Sequence, residues 1–225
     1  MGAHVEPPLA CTVTDDAAAE RTYASLVQQY LSVLCYDNAT FLAERMVARL
    51  SGCGVLARRR AANLLATCYY RSGSPKKARG ILLQYGVGSS GDYYRPVGMR
   101  LEDAGNDGDD DEDTSVFASM TYLLAKCCVD LRLYREAEDF LLRDCREEFF
   151  GRRSSASSSV AADMDDWILT STQCPIPNGA AGLNLLGTVC QKTNRRGRAA
   201  DYFRMSLKVR KLGKSFLNVT IGKAR

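Results

Sequence analysis

The stretch LLATCYYRSGSPKKARGIL, residues 64–82, decides the fold of this chain. Before Gly73, apolar residues recur three and four positions apart, which places them on one side of an α-helix. Gly73 tolerates the positive φ with which many helices end. The following Ser74-Pro75 pair is typical of an N-cap and a first-turn proline. The stretch therefore predicts two helices joined by a tight turn.

The same plan recurs elsewhere in the chain. YLLAKCCVDLRLYREAEDFLL (122–142) and LNLLGTVCQKTNRRGRAADYF (183–203) repeat it closely, and a fainter copy contains Leu26, Tyr30, Tyr36 and Ala39. Small residues hold corresponding positions, where paired helices must approach each other closely. The positions predicted to pack the helices are Leu65, Ala66, Tyr69, Ala78, Leu124, Ala125, Ala137, Leu186, Gly187, Ala199 and Phe203.

Helix–turn–helix units that recur in this way are the tetratricopeptide pattern, whose period is about 34 residues. The sequence thus predicts an all-α solenoid of about four such units. The marker alanines Ala39, Ala78, Ala137 and Ala199 are separated by 39, 59 and 62 residues. The two longer intervals contain an acid- and glycine-rich segment, residues 86–115, and a serine-rich segment that ends in CPIPN, residues 151–178.

We expect both of these segments to be flexible, disordered loops, because they are charged or poor in apolar residues, and solenoids tolerate such insertions. The expected organisation is a disordered N-terminal tail over residues 1–20, a repeat domain over residues 21–212, and a divergent C-terminal tail over residues 213–225.

The composition argues against several classes of function. The formal net charge is +4, and eight of the twelve residues from Glu102 to Asp113 are acidic. The cations elsewhere are mostly scattered, so we expect no nucleic-acid partner. Nine cysteines without a C-x-x-C pair, and a single histidine, His4, predict neither a metal site nor a disulfide framework. No run approaches the roughly 18 apolar residues of a membrane span, so we expect no membrane partner.

Catalytic motifs are also missing from the sequence. It contains no G-x-S-x-G elbow and no glycine-rich phosphate loop after a strand. We therefore predict no catalytic residue and no cofactor.

Two questions about single residues stay open. Ser74-Pro75-Lys76-Lys77 fits a proline-directed kinase site, although the N-cap role is favoured. Trp167, the only tryptophan, is expected either to anchor the serine-rich loop to the stack or to bind a partner.

Four stretches together resemble a particular family: YDNATFLAERM (36–46), LLATCYYRSG (64–73), YLLAKCCVDL (122–131) and LNLLGTVCQKTNRRGRAADYFRMSL (183–207). They look like the N-terminal repeat region of subunit three of the anaphase-promoting complex, or cyclosome, a family also named after cell-division-cycle protein twenty-seven. The resemblance covers residues 23–207 apart from the two loops. The residues after Leu207 depart from the family pattern, and the long linker and C-terminal superhelix are missing, so a truncated form is expected.

The resemblance implies a non-catalytic scaffold of a multi-subunit ubiquitin ligase that marks cell-cycle proteins during mitosis, in the nucleus and cytoplasm. In that family the N-terminal repeats mediate homodimerisation, and C-terminal repeats capture Ile-Arg tails of activator subunits. The implied partners are a second copy and other tetratricopeptide-repeat subunits. The candidate residues for the dimer contact or its support are Leu26, Tyr30, Phe41, Leu42 and Met46.

An alternative function is a co-chaperone-like adaptor that binds an acidic peptide tail. Repeats of that kind clamp a carboxylate with lysine, asparagine and arginine at set groove positions. The corresponding positions here are Asn63, Thr67, Leu123, Ala181 and Leu185. Because only Asn63 among them is suited to the task and the cations are missing, the sequence favours the scaffold.

Overall fold

The computed structural model describes residues 13–87, 110–143 and 176–222, and in these ranges the chain is helical without strands. A 3-10 turn, Leu50–Gly52, follows α2, and a π turn, Leu83–Val87, follows α4. The predicted all-α class is confirmed. The α-helices are α1 (Val13–Ser32), α2 (Tyr36–Arg49), α3 (Val55–Arg71), α4 (Pro75–Leu82), α5 (Asp110–Asp130), α6 (Tyr134–Leu142), α7 (Ala180–Lys192) and α8 (Arg196–Gly222).

Within the described ranges the helices pair into four helix–turn–helix units: unit 1 is α1–α2, unit 2 is α3–α4, unit 3 is α5–α6 and unit 4 is α7–α8. The second helix of each unit packs on the first helix of the next, as α2 does on α3, α4 on α5 and α6 on α7. The first helices of successive units also touch. Each unit therefore contacts its neighbours in the chain, which is the arrangement of a tetratricopeptide-type solenoid.

The four tight turns share one backbone geometry. Positive φ angles occur at Leu34 (61°), Gly73 (79°), Arg132 (61°) and Asn194 (60°). Each of these residues stands five positions before a marker alanine. In each turn, the N–H of the next residue donates to the carbonyl of the residue five positions earlier; Ser74 N–H, for example, donates to the Tyr69 carbonyl at 2.8 Å. Such bonds satisfy carbonyls that a helix end would otherwise leave unpaired. The spacing of the repeats that the marker alanines predict is therefore also seen in the backbone conformation of the turns.

Leu34 is under strain in this position, because a left-handed backbone costs a residue with a Cβ roughly 1–2 kcal/mol. We expect Leu34→Gly to raise the free energy of unfolding by about 1 kcal/mol, after allowing for the greater freedom of glycine in the unfolded chain. Urea denaturation measures the change. The reciprocal variant, Gly73→Leu, should lose a similar amount. A loss of stability in Leu34→Gly would contradict the turn geometry.

The small repeat residues lie at the contacts between helices. Ala39, Ala78 and Ala137 have no exposed surface, and Ala199 is 4% exposed. Ala66 and Ala125 are also fully buried. A Cβ on Gly187 would lie 2.6 Å from the ring of Phe203, which is closer than side-chain atoms pack. The helices can therefore approach as they do only with small residues at these points.

The large repeat residues complete the core. Leu65 (3% exposed), Leu124 and Leu186 (both 0%) are buried, whereas Tyr69 and Phe203 are half-buried and pack against the core from its edge. The main cluster runs without interruption from unit 2 to unit 4. Each unit presents apolar residues to the unit before it and to the unit after it. Stacking of the units therefore forms one continuous core.

Ser74 differs from its predicted role as a side-chain cap. It occupies the N-cap position of α4, but its side chain makes no capping hydrogen bond. Its φ and ψ angles of −111° and 63° lie away from the extended conformation that capping serines usually adopt. The main chain starts the helix instead, since the Ser74 carbonyl accepts the Ala78 N–H at 3.2 Å.

Three helices extend beyond the boundaries expected from the sequence. α1 begins at Val13, within the expected tail; α5 begins at Asp110, within the expected acidic loop; and α8 continues to Gly222, within the expected divergent tail. The four acids Asp110, Asp111, Glu112 and Asp113 favour a helix start, where the helix dipole is positive. The remaining parts of the expected tails and loops, residues 1–12, 88–109, 151–175 and 223–225, lie outside the described residues.

Ion pairs join unit 3 to its neighbours. The Arg79 guanidinium on α4 donates to Glu136 on α6 at 2.7 Å. Arg195, in the α7–α8 turn, donates to both carboxylate oxygens of Glu138 on α6, at 2.7 and 2.6 Å. In each pair, the hydrogen bond to the carboxylate raises the pKa of the arginine. The bidentate pair fixes the distance and the angle between units 3 and 4.

We expect Glu138→Gln to lower the free energy of unfolding by about 1 kcal/mol, because the bidentate pair is only partly exposed to solvent. Chemical denaturation measures the loss. Asp201→Asn is the matched control: its exposed contact with Arg204 spans 3.3 Å within one helix, and removing it should change stability by less than about 0.5 kcal/mol. Equal effects of the two changes would show that the bidentate pair does not couple the units.

Candidate interaction surface

The outward side of unit 1 carries an apolar opening between α1 and α2, which we call the outer groove. Its volume is about 590 Å³. On α1, residues at helical spacing line it, and on α2 it is bounded by two residues that lie two turns apart. The lining residues are Ala18, Ala19, Thr22, Tyr23, Leu26, Leu42 and Arg49. Because the alanines are small, the groove is open enough to admit side chains from another helix.

The structure brings two of the predicted interface residues, Leu26 and Leu42, together in this groove. Leu26 is 38% exposed, although Leu65, its counterpart in unit 2, is 3% exposed. Phe41 is 55% exposed on α2, and the Arg45 guanidinium lies 5.2 Å from the centre of its ring. These three side chains are accessible to a partner.

The other two predicted residues lie deeper. Tyr30 is half-buried against the cluster formed by Val27 and Leu31. Met46 is 1% exposed and packs with Leu50 in a second small cluster. Met46 is therefore placed to support α2 from beneath and does not reach the surface.

Five residues of the outer groove were missed by sequence reasoning: Ala18, Ala19, Thr22, Tyr23 and Arg49. The expected tail boundary at residue 20 concealed the start of α1. A signal was nevertheless present, because Ala18, Thr22 and Leu26 follow one another at intervals of four residues. That spacing places them along one side of a helix.

A second surface is formed where the first helices of units 2 and 3 meet. The Asn63 side-chain amide donates to Ser119 Oγ at 3.2 Å. The Lys126 ammonium lies 4.7 Å from the ring centre of Tyr70 and 5.9 Å from that of Tyr122. Burial and a hydrogen bond with Asp130 raise the pKa of the Tyr70 hydroxyl. The Lys126, Tyr70 and Tyr122 side chains therefore contact one another within the chain, whereas Asn63 Oδ1 is buried without a hydrogen-bond partner among the described residues.

The peptide-clamp positions do not form a common site. Leu123 is 9% exposed and belongs to the main core, so it cannot face a ligand. The Thr67 hydroxyl donates to the Asn63 carbonyl of its own helix at 2.8 Å. The alternative of an adaptor for acidic tails thus gains no support from this surface.

The interior thiols are held in the protonated form. Burial raises the pKa of Cys68 to about 11 and that of Cys127 to about 12, and burial also raises the pKa of Cys128 and Cys190. A buried thiol of this kind behaves as a small apolar side chain at neutral pH.

Among the described residues, no three potential metal ligands lie in one group, and no helix has the length and apolarity to cross a membrane.

The fold and the surface define the class: the chain is a tetratricopeptide-type helical-repeat protein. No family model matches it. It is 29% identical over 181 residues to cell division cycle protein 27 homologues from Homo sapiens, Rattus norvegicus and Mus musculus. The matched part is 80% of this chain and 16% of each relative. The chain therefore spans a minor part of the length of the curated relatives it matches.

A solved structure from Podospora anserina, described as nearly identical tetratricopeptide-like repeats of a kinesin light chain, is also similar. The two are 14% identical with a TM-score of 0.48, over 87% of this chain and 96% of the other. The assignment to the repeat class rests on the helix pairs and turns described above.

Proposed function

We propose that the chain is a non-catalytic scaffold of the anaphase-promoting-complex type, which associates with a second copy through the outward side of unit 1. The observation that supports the cell-cycle assignment most is the similarity to cell division cycle protein 27 homologues over 80% of the chain. In this role the protein organises ubiquitin-ligase subunits in the nucleus and cytoplasm, and its other partners are tetratricopeptide-repeat subunits.

The position of unit 1 in the stack supports self-association. Unit 2 packs between units 1 and 3, and unit 3 packs between units 2 and 4. Unit 1 is the first of the described units, and α3 covers one of its sides. A repeat face that no described neighbour covers needs polar residues or a partner, yet the outer groove presents Leu26, Tyr23 and Leu42. A second copy supplies an apolar cover of the same chemistry.

A two-fold contact fits this surface well. In such a contact the same patch is used on both copies, so that each α1 can lie along the outer groove of the other. Leu26 is the last of the α1 residues that line the groove, and Phe41 with Arg45 stands on the neighbouring helix. Aromatic and arginine side chains are enriched at protein interfaces.

Sedimentation velocity over a concentration series tests the proposal. The wild-type chain should form dimers at micromolar concentrations. Leu26→Asp should weaken the dimer about 100-fold, because it places a charge in a desolvated apolar contact. Val55→Asp is the matched control: Val55 is 45% exposed at the start of α3 and lies outside the groove. A chain that stays monomeric, or equal effects of the two variants, would exclude this interface.

A further inference from the structure

The turns of units 2, 3 and 4 lie side by side on one edge of the stack. Arg79, near the start of α4, donates to Glu136, near the start of α6, at 2.7 Å. Arg195, in the turn of unit 4, donates to Glu138 on α6 at 2.6 Å. These contacts bring the turn of unit 3 against the turns on either side of it. In each unit this edge consists of the last residue of the first helix, the turn, and the first three residues of the second helix. We call it the turn edge: residues 71–77, 130–136 and 192–198.

The turn edge is rich in exposed cations. Each turn contributes at least two of them, and none of them forms an ion pair with another described residue. They are Arg71, Lys76, Lys77, Arg132, Arg135, Lys192, Arg196 and Arg198. The corresponding stretch of unit 1, residues 32–38, has no cation. The positive charge is therefore not a part of the repeat pattern.

Most of these cations stand at positions where they cost stability. Five lie in the first three residues of a second helix, where the positive end of the helix dipole disfavours a cation. These five are Lys76, Lys77, Arg135, Arg196 and Arg198. Arg132 has a φ angle of 61°, at a position that Gly73 and Asn194 hold in the neighbouring units. A row of charge at such positions indicates a binding role, because functional sites are where local structural rules are broken.

The distribution of charge favours an acidic protein segment over a nucleic acid. The exposed carboxylate of Asp130 lies in the turn of unit 3, so the positive charge is concentrated in the turns of units 2 and 4. Leu133, which is 36% exposed between them, offers an apolar contact. Tyr134 is the only aromatic residue of the turn edge, and it packs against the main cluster. The edge thus has no exposed ring on which a base could stack.

The distance between the two cationic turns sets the spacing of the acids in a ligand. The first helices of units 2, 3 and 4 touch in succession, and packed helices lie about 8–10 Å apart. The turns of units 2 and 4 are therefore separated by roughly 20 Å. An extended chain spans this distance with about six residues.

We propose that the turn edge binds an extended acidic segment of a partner protein. One cluster of carboxylates lies at the turn of unit 2, a second lies at the turn of unit 4, and an apolar side chain contacts Leu133 between them. The turn edge belongs to units 2–4 and the outer groove to unit 1, so the site does not depend on self-association. It also contains none of the five peptide-clamp positions. Because the cations are exposed, binding is sensitive to salt.

Fluorescence anisotropy of a labelled peptide, EEEGSLSGSEEE, titrated with the full chain tests the proposal. The peptide should bind, and raising the salt concentration from about 50 to about 300 mM should weaken binding about tenfold. A peptide with glutamine in place of every glutamate should not bind. A peptide whose spacer is shortened to GL should bind about fivefold more weakly, because it reaches only one of the two cationic turns at a time.

Charge reversal locates the site. Arg132→Glu combined with Arg196→Glu should weaken binding of the peptide at least about tenfold. The fold should survive, since glutamate at the start of α8 is favoured by the helix dipole. Arg21→Glu combined with Arg210→Glu is the matched control: both arginines are exposed, both lie outside the turn edge, and the net charge changes equally. The control should change the affinity less than about twofold.

Arg132→Gly separates binding from stability. Glycine relieves the left-handed backbone, so the variant should unfold at a higher temperature than the wild type. It should nevertheless bind the peptide about threefold more weakly, because one cation is lost. A purely structural role for Arg132 would not produce these opposite effects.

Three results would each overturn the proposal: no binding of EEEGSLSGSEEE at about 1 mM, equal effects of the two double variants, or equal affinity for the two spacer lengths. Tighter binding of a thymidine oligonucleotide than of the peptide at the same salt concentration would assign the edge to nucleic acid and also overturn it.

Discussion

Replacement of Leu124 by alanine is expected to lower the free energy of unfolding by about 3 kcal/mol. Leu124 has no exposed surface and lies in the middle of the main cluster, between units 2 and 4. Removing three carbons from such a position loses both transfer free energy and packing, because the neighbouring helices cannot close the cavity completely. Urea denaturation monitored by circular dichroism measures the loss.

Leu26 provides the matched control, because it holds the equivalent position in unit 1 and is 38% exposed. In the monomeric protein, Leu26→Ala should cost no more than about 1 kcal/mol. A similar loss for both substitutions would mean that unit 1 is covered as fully as unit 3. That result would contradict the placement of unit 1 at the open side of the stack.

Replacement of Gly187 by leucine is expected to cost about 3 kcal/mol, because it overfills the contact between α7 and α8. Even a single Cβ at this position would lie within 3 Å of three atoms of the Phe203 ring. The ring is packed against the main cluster and cannot move aside without opening the helix pair. Thermal and chemical denaturation both report the change.

Gly80→Leu is the control for this substitution. Gly80 lies within α4, and a Cβ there would meet nothing within 4 Å, so the better helix propensity of leucine should raise stability by roughly 0.8 kcal/mol. A double variant, Gly187→Leu with Phe203→Ala, should be more stable than the sum of the two single losses by about 2 kcal/mol. If Gly187→Leu instead stabilises the protein, the close approach of α7 and α8 is wrong.

The repeat could be predicted because its small residues have no substitute at close helix contacts. Ala39, Ala78, Ala137 and Ala199 mark the register, and the turns five residues earlier repeat it in the backbone. Two of those turns could not be predicted individually, since Leu34 and Arg132 adopt the left-handed conformation where the sequence offers neither glycine nor asparagine. There the packing of the flanking helices outweighs the local preference.

The boundaries and the site were harder to predict. Composition suggested disorder for the acids at 110–113, whereas charge at a helix N-terminus stabilises the helix. The outer groove depends on α1 starting at Val13, which is also the reason that Ala18 and Tyr23 were not anticipated. The pair formed by Arg195 and Glu138 joins residues 57 positions apart, and no local pattern reveals a contact of that range.

Hydrogen exchange measured at two protein concentrations tests the account most directly. If the inner units form a continuous core and the outward side of unit 1 binds a second copy, then α1 and α2 should exchange fastest in dilute solution and slow markedly as the concentration rises. The amides of α5 should be protected equally at both concentrations. Protection of α1 and α2 that does not depend on concentration, or exchange of α5 as fast as that of α1, would contradict the account.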